Sequence, residues 1–479
     1  MTRTTTTDGR REEIAPRSGR APGAWPLVGH AIELQRRPLA FMESLIGHGD
    51  LVEIRLGPRP AFVICHPDLA HQVLTDFRTF DRTGPVYDRS RAAMGSGLAT
   101  TTYQDHRRQR LIMQPAFRHE HLRGYVEVMR QEIGATMDRW QEGDQVDLVE
   151  EAFTLTNTIS LRALFSSGIS AQDAEELREA FDVFLRGIYA RAALPLVGRI
   201  PSPANRRYVR ALGRWRTIVA RLIDGYRRED AEGGEGGEGG KRDDLMARLV
   251  EARDDEQQAM SDEELSDQVA VLLLAGGETT SAAVVWTLHL LQNHPHVLAA
   301  LRAETDTVLG GDIAGWEHLR RLDLTARAVR EAMRLYPPAW ILPRTCVRDV
   351  VLAGRTLPAG STVVFSPFVL HRRPDLFPDP HAFDPDRWLP AEAGAAPHRT
   401  SFLPFGAGAT KCIGEDFGEA EATLIVATLT ARWDLSALAG TKVSPVARAV
   451  LVPKSLPVRL TPRRDPGRGG AAANAGSPR

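Results

Sequence analysis

The sequence predicts one large, mainly α-helical domain with small peripheral β-sheets. Three observations carry this. Apolar residues recur at helical spacing through much of the 479 residues. Runs rich in β-forming residues are short and few. The low-complexity stretch AEGGEGGEGGKRDD at 231–244 has chemistry-bearing motifs on both sides, so it reads as a solvated surface loop rather than a domain boundary.

Taken in order, the polar, Thr- and Arg-rich residues 1–24 read as disordered, as does the tail RRDPGRGGAAANAGSPR at 463–479, which leaves 25–462 as the folded domain. Strands are expected at 51–56 and 61–64, with further candidates at 447–452 and 456–460. Segments 171–193 and 206–228 carry apolar residues at helical spacing among charges. The segment 261–291 opens on Ser261, Asp262, Glu263 and Glu264, a capped and acidic first turn. Its centre, VAVLLLAGG, is apolar all round, as in a helix buried inside a large protein. Residues 326–335 are helical and stop at Pro337-Pro338.

Composition removes several function classes. Sixty basic and 61 acidic residues give a net charge of -1, which argues against a nucleic-acid partner. Cys65, Cys346 and Cys412 are odd in number and form no CxxC pair, which points to a reducing compartment. The N-terminus MTRTTTTDGRREE lacks the apolar core of a signal peptide. The apolar run 269–275 is far shorter than the roughly 20 residues a bilayer demands. A cytoplasmic protein without a membrane anchor is expected.

The chemistry concentrates in SFLPFGAGATKCIGEDFG, 401–418, where Phe405, Gly408, Cys412 and Gly414 make F-x-x-G-x-x-x-C-x-G. A thiolate ligand to iron needs protection and nearby N–H groups, and Gly406, Gly408 and Gly414 allow the tight backbone that supplies them. A helix over 419–430 starting near Cys412 would favour the thiolate through its N-terminus. The bland alternative is a buried structural cysteine in a glycine-rich turn.

Three further patterns accompany it. Glu331 and Arg334 lie three apart on one helix face, an ordinary spacing for an ion pair on any solvated helix. Ala275, Gly276, Gly277, Glu278 and Thr279 place two adjacent glycines and an acid inside the apolar helix. Each glycine there costs about 1 kcal/mol relative to alanine, and a buried acid needs a partner or a task; a glycine-kinked core helix with a satisfied carboxylate is the plain reading. In DHRRQRLIMQPAF, His106 and Arg110 share a helix face, although an arginine-rich helix is usually just solvated.

Together and in this order, these motifs resemble the cytochrome P450 family from about Pro26 to Leu460. The texture of FDRTGPVYDRS, PAFR, SPANRRY, RLYPPAW and VLHRRPDLF is similar to actinobacterial terpenoid oxygenases of the pentalenene oxygenase type. The resemblance implies the P450 fold, haem b as cofactor, and Cys412 as axial iron ligand. It implies a structural network of Glu331, Arg334 and Arg387. It assigns Glu278 and Thr279 to proton delivery in the oxygen-binding groove. His106, Arg110 and Arg344 would hold the haem propionates, with Phe405, Gly408 and Gly414 around the sulfur.

One departure stands out: Thr410 replaces the cationic residue that the family usually carries two positions before the cysteine. The pocket is expected from the 84–101 loop, the 171–193 helix, Leu272 to Ala275, and Trp340, Ile341 and Leu342. The implied activity is hydroxylation or oxidation of an apolar, terpenoid-like molecule with O2, fed by ferredoxin and ferredoxin reductase. Ferredoxin would dock near Lys411, Arg107 and Arg108. A fatty-acid or polyketide hydroxylase is the alternative substrate class, and a fatty acid would need a cation such as Arg89 or Arg91. A non-catalytic haem-binding protein, or a haem-thiolate enzyme using peroxide, would have no need of Glu278 and Thr279.

Overall fold

The computed structural model describes residues 16–165, 202–231, 244–390 and 400–463, with scattered positions between 169 and 187. Its axis is the central helix Asp262–Asn293. The helix starts where the sequence requires: Glu264 N–H donates to the Ser261 hydroxyl at 3.1 Å, and the Glu264 carboxylate accepts from Ser261 N–H at 2.8 Å. It is long and apolar enough to cross a membrane by length and composition, and it is buried within the fold.

Four helices pack on this axis: Leu148–Phe165, Pro203–Ala231, Asp323–Leu335 and Glu415–Arg432. The adjacent glycines serve that packing. A Cβ at Gly277 would collide with the Asn157 side chain and one at Gly276 with Ser160, while the Thr156 hydroxyl donates to the Gly277 carbonyl at 2.8 Å. They mark a close helix–helix approach, and the helix runs through them without interruption.

The β content is peripheral. A six-stranded sheet runs Ser18–Arg20, Leu51–Leu56, Arg59–Ile64, Thr362–Phe365, Leu342–Cys346 and Phe80–Asp81. Its last pairing is antiparallel and sets Asp81 opposite Thr345, which brings Arg82 level with Arg344. Among the described residues, three small sheets accompany it.

The structure corrects several expectations. Ser18–Arg20, assigned to a disordered leader, is a strand parallel to Leu51–Leu56, because an open sheet edge accepts even a polar segment. The 447–452 stretch is β-structure but not one strand: Ala447 ends the strand Pro445–Ala447, residues 448–450 bend, and Leu451 opens the antiparallel strand Leu451–Pro453. The 84–101 loop contains the helix Pro85–Met94, with proline in its first turn. Asp244, at the edge of the low-complexity segment, is a buried N-cap accepting from Ala247 N–H at 2.9 Å. Arg463, placed in the tail, is bound to Asp306 by two 2.9 Å contacts. Of the expected helix 171–193, the described positions between 172 and 187 are helical, and its other residues, like most of 231–244, lie outside the described residues.

Candidate active site

Cys412 ends a tight loop. Its N–H donates to the Phe405 carbonyl at 2.8 Å, and Gly406 N–H donates to Leu403 O at 3.1 Å. Gly408 must be glycine, since its φ of 66° is left-handed and a Cβ would strike the Leu74 backbone. Gly414, at φ -96°, needs no such freedom; it is the N-cap of Glu415–Arg432, and its N–H faces the Cys412 sulfur. Burial raises the Cys412 thiol above its usual range, against the lowering influence of that N–H, Arg110 and Lys411. The helix terminus therefore helps the thiolate but does not create it, and a metal cation would have to complete the task. Cys412 is nonetheless accessible. Cys65 and Cys346 are buried, and desolvation pushes them up to about 12 and about 11.

The loop is held from below by a buried polar network. Arg334 and Glu331 are both fully buried and joined through two contacts, 2.9 and 2.7 Å. Glu331 also accepts from Trp388 Nε1 at 3.0 Å and Arg387 Nε at 3.4 Å. Arg334 donates to the carbonyls of His371, Pro380 and Ala382. Sequence reading found Arg387 but missed Trp388 and His371. Leu403 N–H donates to His371 Nε2 at 3.0 Å, so Nδ1 carries the proton and donates to the Arg334 carbonyl at 3.2 Å. Burial, then the positive charge of Arg334, pushes His371 down to about 3 and keeps it in that neutral form. One imidazole thus ties the ion-pair network to the cysteine loop.

Above the loop, cations converge. Arg110 donates to the Lys411 carbonyl at 2.5 Å. Arg344 is buried, donates to the Tyr87 hydroxyl at 2.8 Å, and has an unpartnered Nε. Arg82, which sequence reading missed, is buried and donates to the Leu98 carbonyl at 2.7 Å. Burial and then Arg344 lower it to about 10. Burial and the field of Arg82, Arg110 and Arg344 push His106 down to about 3. Asp81, the carboxylate in this group, already accepts from the backbone N–H of Arg82 and Tyr103. Such a cluster calls for an anion.

The family model for cytochrome P450 matches residues 20–460. The chain belongs to the cytochrome P450 family. It is 44% identical over 448 residues to pentalenene oxygenase of Streptomyces avermitilis, covering 93% of this chain and 98% of that one. It is 44% identical over 445 residues to cyclooctatin synthase of Streptomyces melanosporofaciens, covering 92% and 95%. Cyclooctat-9-en-7-ol 5-monooxygenase of the same organism is 40% identical over 449 residues, covering 93% and 95%. Among solved structures, the haem domain of cytochrome P450DA superposes with TM-score 0.82 at 26% identity, covering 94% of this chain and 99% of that one. This chain is a haem-dependent P450 monooxygenase.

The residues present fit a haem. An accessible cysteine lies within electrostatic reach of Arg110, which in turn lies near the buried Arg82 and its neighbour Arg344, and a haem brings an iron and two propionates. Arg82, which directly follows the strand Phe80–Asp81, adds a buried cation close to Arg344 and Arg110. In the apolar middle of the central helix the buried surface is interrupted: Ala275 is exposed, with Leu272, Glu278 and Thr279 partly so. That interruption is the face a flat cofactor and a substrate would cover. The Thr279 hydroxyl donates to the Ala275 carbonyl at 2.5 Å. The helix carrying Cys412's cap reaches this groove at Gly418, where a Cβ would lie 3.6 Å from the Thr280 hydroxyl. Behind it, Glu421 is fully buried among apolar residues; it makes no well-aligned hydrogen bond, and only the Thr280 hydroxyl stands close enough to favour its charged form. Burial raises its carboxyl well above the usual range. Its setting, EAEATLIVATL, reads as a plain apolar helix, so no sequence signal announced it.

Not every expected residue joins the site. Trp340 is buried in a separate core with Met42, Val63 and Phe368, and its ring N–H donates to the Arg448 carbonyl at 2.7 Å. Ile341 and Leu342 are only partly buried. Arg108 is committed to Asp254 at 2.8 Å and Glu264 at 2.6 Å, and Lys411 pairs with Glu415. Of the three basic residues expected at a docking face, Arg107 is the exposed one without an ion pair among the described residues.

Proposed function

We propose that this P450 hydroxylates or further oxidises a cyclic terpenoid hydrocarbon or a lightly oxidised derivative. Haem b would be ligated by Cys412, and electrons would come from a ferredoxin and its reductase in the cytoplasm. The observation that carries the substrate class is 44% identity, over nearly the whole chain, to enzymes named for pentalenene and cyclooctatin. The pocket chemistry agrees. Ala275 and Leu272 offer apolar surface. Arg91, a candidate for a fatty-acid carboxylate, is already bound to the Arg82 and Thr100 carbonyls and to Asp88.

Bound haem supplies dioxygen activation: one oxygen atom enters the substrate and the other leaves as water. The residues around it have separable tasks. Cys412 would present its sulfur from a loop closed by the Cys412 N–H bond to Phe405 and the Gly406 N–H bond to Leu403, with the Gly414 N–H left to the sulfur. Arg82, Arg110, Arg344 and His106 would receive the propionates, and neutral His106 would donate without adding charge. Thr279 spends its proton on the Ala275 carbonyl, so its oxygen faces the pocket as a hydrogen-bond acceptor and holds a proton donor in place there. Glu278, beside it and partly exposed, brings protons from solvent to that position.

Thr279→Ala is expected to bind substrate normally while diverting reducing equivalents into hydrogen peroxide. Product per electron should fall by about a hundredfold, the usual scale of a general acid–base contribution. Unchanged coupling would remove Thr279 from proton delivery. For the substrate, sesquiterpene hydrocarbons should perturb the haem spectrum as displacement of bound water does, and fatty acids should not. The reverse pattern would replace the terpenoid reading with the fatty-acid one.

A further inference from the structure

We propose that the turn from Trp25 to Gly29 is a membrane-inserting tip that seats this protein on an anionic bilayer surface. Trp25 and Gly29 exchange both backbone hydrogen bonds at 2.9 Å, closing a loop of Pro26, Leu27 and Val28. Gly57 N–H donates to the Val28 carbonyl at 3.1 Å, and Gly29 bridges to Leu56, so the neighbouring strand turn joins the same patch. Leu27 is 91% exposed, Trp25 58%, Val28 41% and Leu56 40%. Four of the ten large apolar side chains that the described residues expose are in this one place, where scattered single exposures would be ordinary.

The backbone sharpens the point. Leu27 sits at φ 66°, a left-handed conformation that is sterically costly for a bulky L-residue and natural for glycine, asparagine or aspartate. Its side chain gains no packing in return. A strained leucine held outward against solvent has its use outside the chain.

The surroundings identify the occupant. Arg55, packed against Gly29, and Arg59, paired with Leu56 across the strand turn, are exposed beside the tip, and Arg36 and Arg37 are exposed at the end of the helix that follows it. Of the nearby carboxylates in the chain, Glu33 is partly buried and Glu53 is already paired with Arg20 and Arg355. Tryptophan and leucine at an apex with arginines behind them match the layers of a lipid interface. The indole lies at headgroup depth, the leucine below it, and the guanidinium groups on lipid phosphates. An apolar protein partner would not require the arginine rim. A protein whose substrate dissolves in bilayers gains access to it there.

The test uses purified holoprotein without substrate, so its failure leaves the substrate reading standing. Co-sedimentation is measured with vesicles of phosphatidylglycerol and phosphatidylcholine in equal parts, and with phosphatidylcholine alone. Binding to the mixed vesicles, released by salt, is expected. Leu27→Asp tolerates the left-handed backbone, so it should keep the carbonyl spectrum and melt no earlier than the parent. Its vesicle binding should fall about tenfold or more, as expected when a leucine no longer leaves water. The double reversal Arg55→Glu and Arg59→Glu should weaken binding to the anionic vesicles while leaving the tip intact. Absence of binding by the parent, or equal binding by Leu27→Asp, would overturn the proposal. So would a parent dimer in gel filtration that Leu27→Asp converts to monomer, because the patch would then belong to a second copy.

Discussion

Replacing Cys412 by serine is expected to abolish the absorbance band of the thiolate-bound carbonyl complex and, with it, measurable monooxygenation. Serine keeps the loop geometry, since the Cys412 N–H bond to Phe405 and the glycine turn do not involve the sulfur. What is lost is electron donation by the ligand, which favours cleavage of the O–O bond. The other two cysteines cannot substitute: both are buried, with thiols pushed up to about 12 and about 11 by desolvation. The reduced, carbon-monoxide-treated protein decides the matter. A mutant spectrum identical to the parent's would mean that another residue ligates the iron.

The second large effect concerns the ion pair beneath the loop. Removing one partner of a fully buried pair strands the other charge and costs about 3–5 kcal/mol. A domain holds about 5–15 kcal/mol of total stability, so this is a large share. Glu331→Ala would strand Arg334 and also leave Trp388 Nε1 and the Asp384 N–H without their acceptor. We expect a urea midpoint far below the parent's and loss of haem before global unfolding. Arg334 holds His371 and His371 holds Leu403, so the damage reaches the cysteine loop first. Equilibrium unfolding followed by circular dichroism and haem absorbance measures both. A loss under about 1 kcal/mol would make this an ordinary surface-grade ion pair.

Much of the site was legible because its chemistry is local. F-x-x-G-x-x-x-C-x-G requires a left-handed Gly408 and an N–H donor two residues past the sulfur, and both constraints act within ten residues. The i, i+3 spacing of Glu331 and Arg334 and the capped start of the central helix are legible for the same reason. The apolar centre of that helix announced its burial, and the order of the motifs announced the family.

What the sequence could not supply depends on which distant residues meet. Arg82 comes level with Arg344 because an antiparallel pairing sets Asp81 opposite Thr345, more than 260 positions away in the chain. His371 matters because Arg334 and Leu403 approach it from opposite sides, and nothing in VLHRRP separates it from any other histidine. The glycine pair looked like a kink but is a contact, decided by Asn157 and Ser160 on another helix. Trp340 looked like a pocket wall and is core, because its ring N–H found Arg448. Spacing along the chain determines the groups a helix or turn presents, whereas burial and register across the fold determine their neighbours. The cysteine in its glycine turn and the buried pair were therefore written in the sequence. The convergence of Arg82, Arg110 and Arg344 on His106, and the strain that turns Leu27 outward, came into being only when the strands paired and the loops closed.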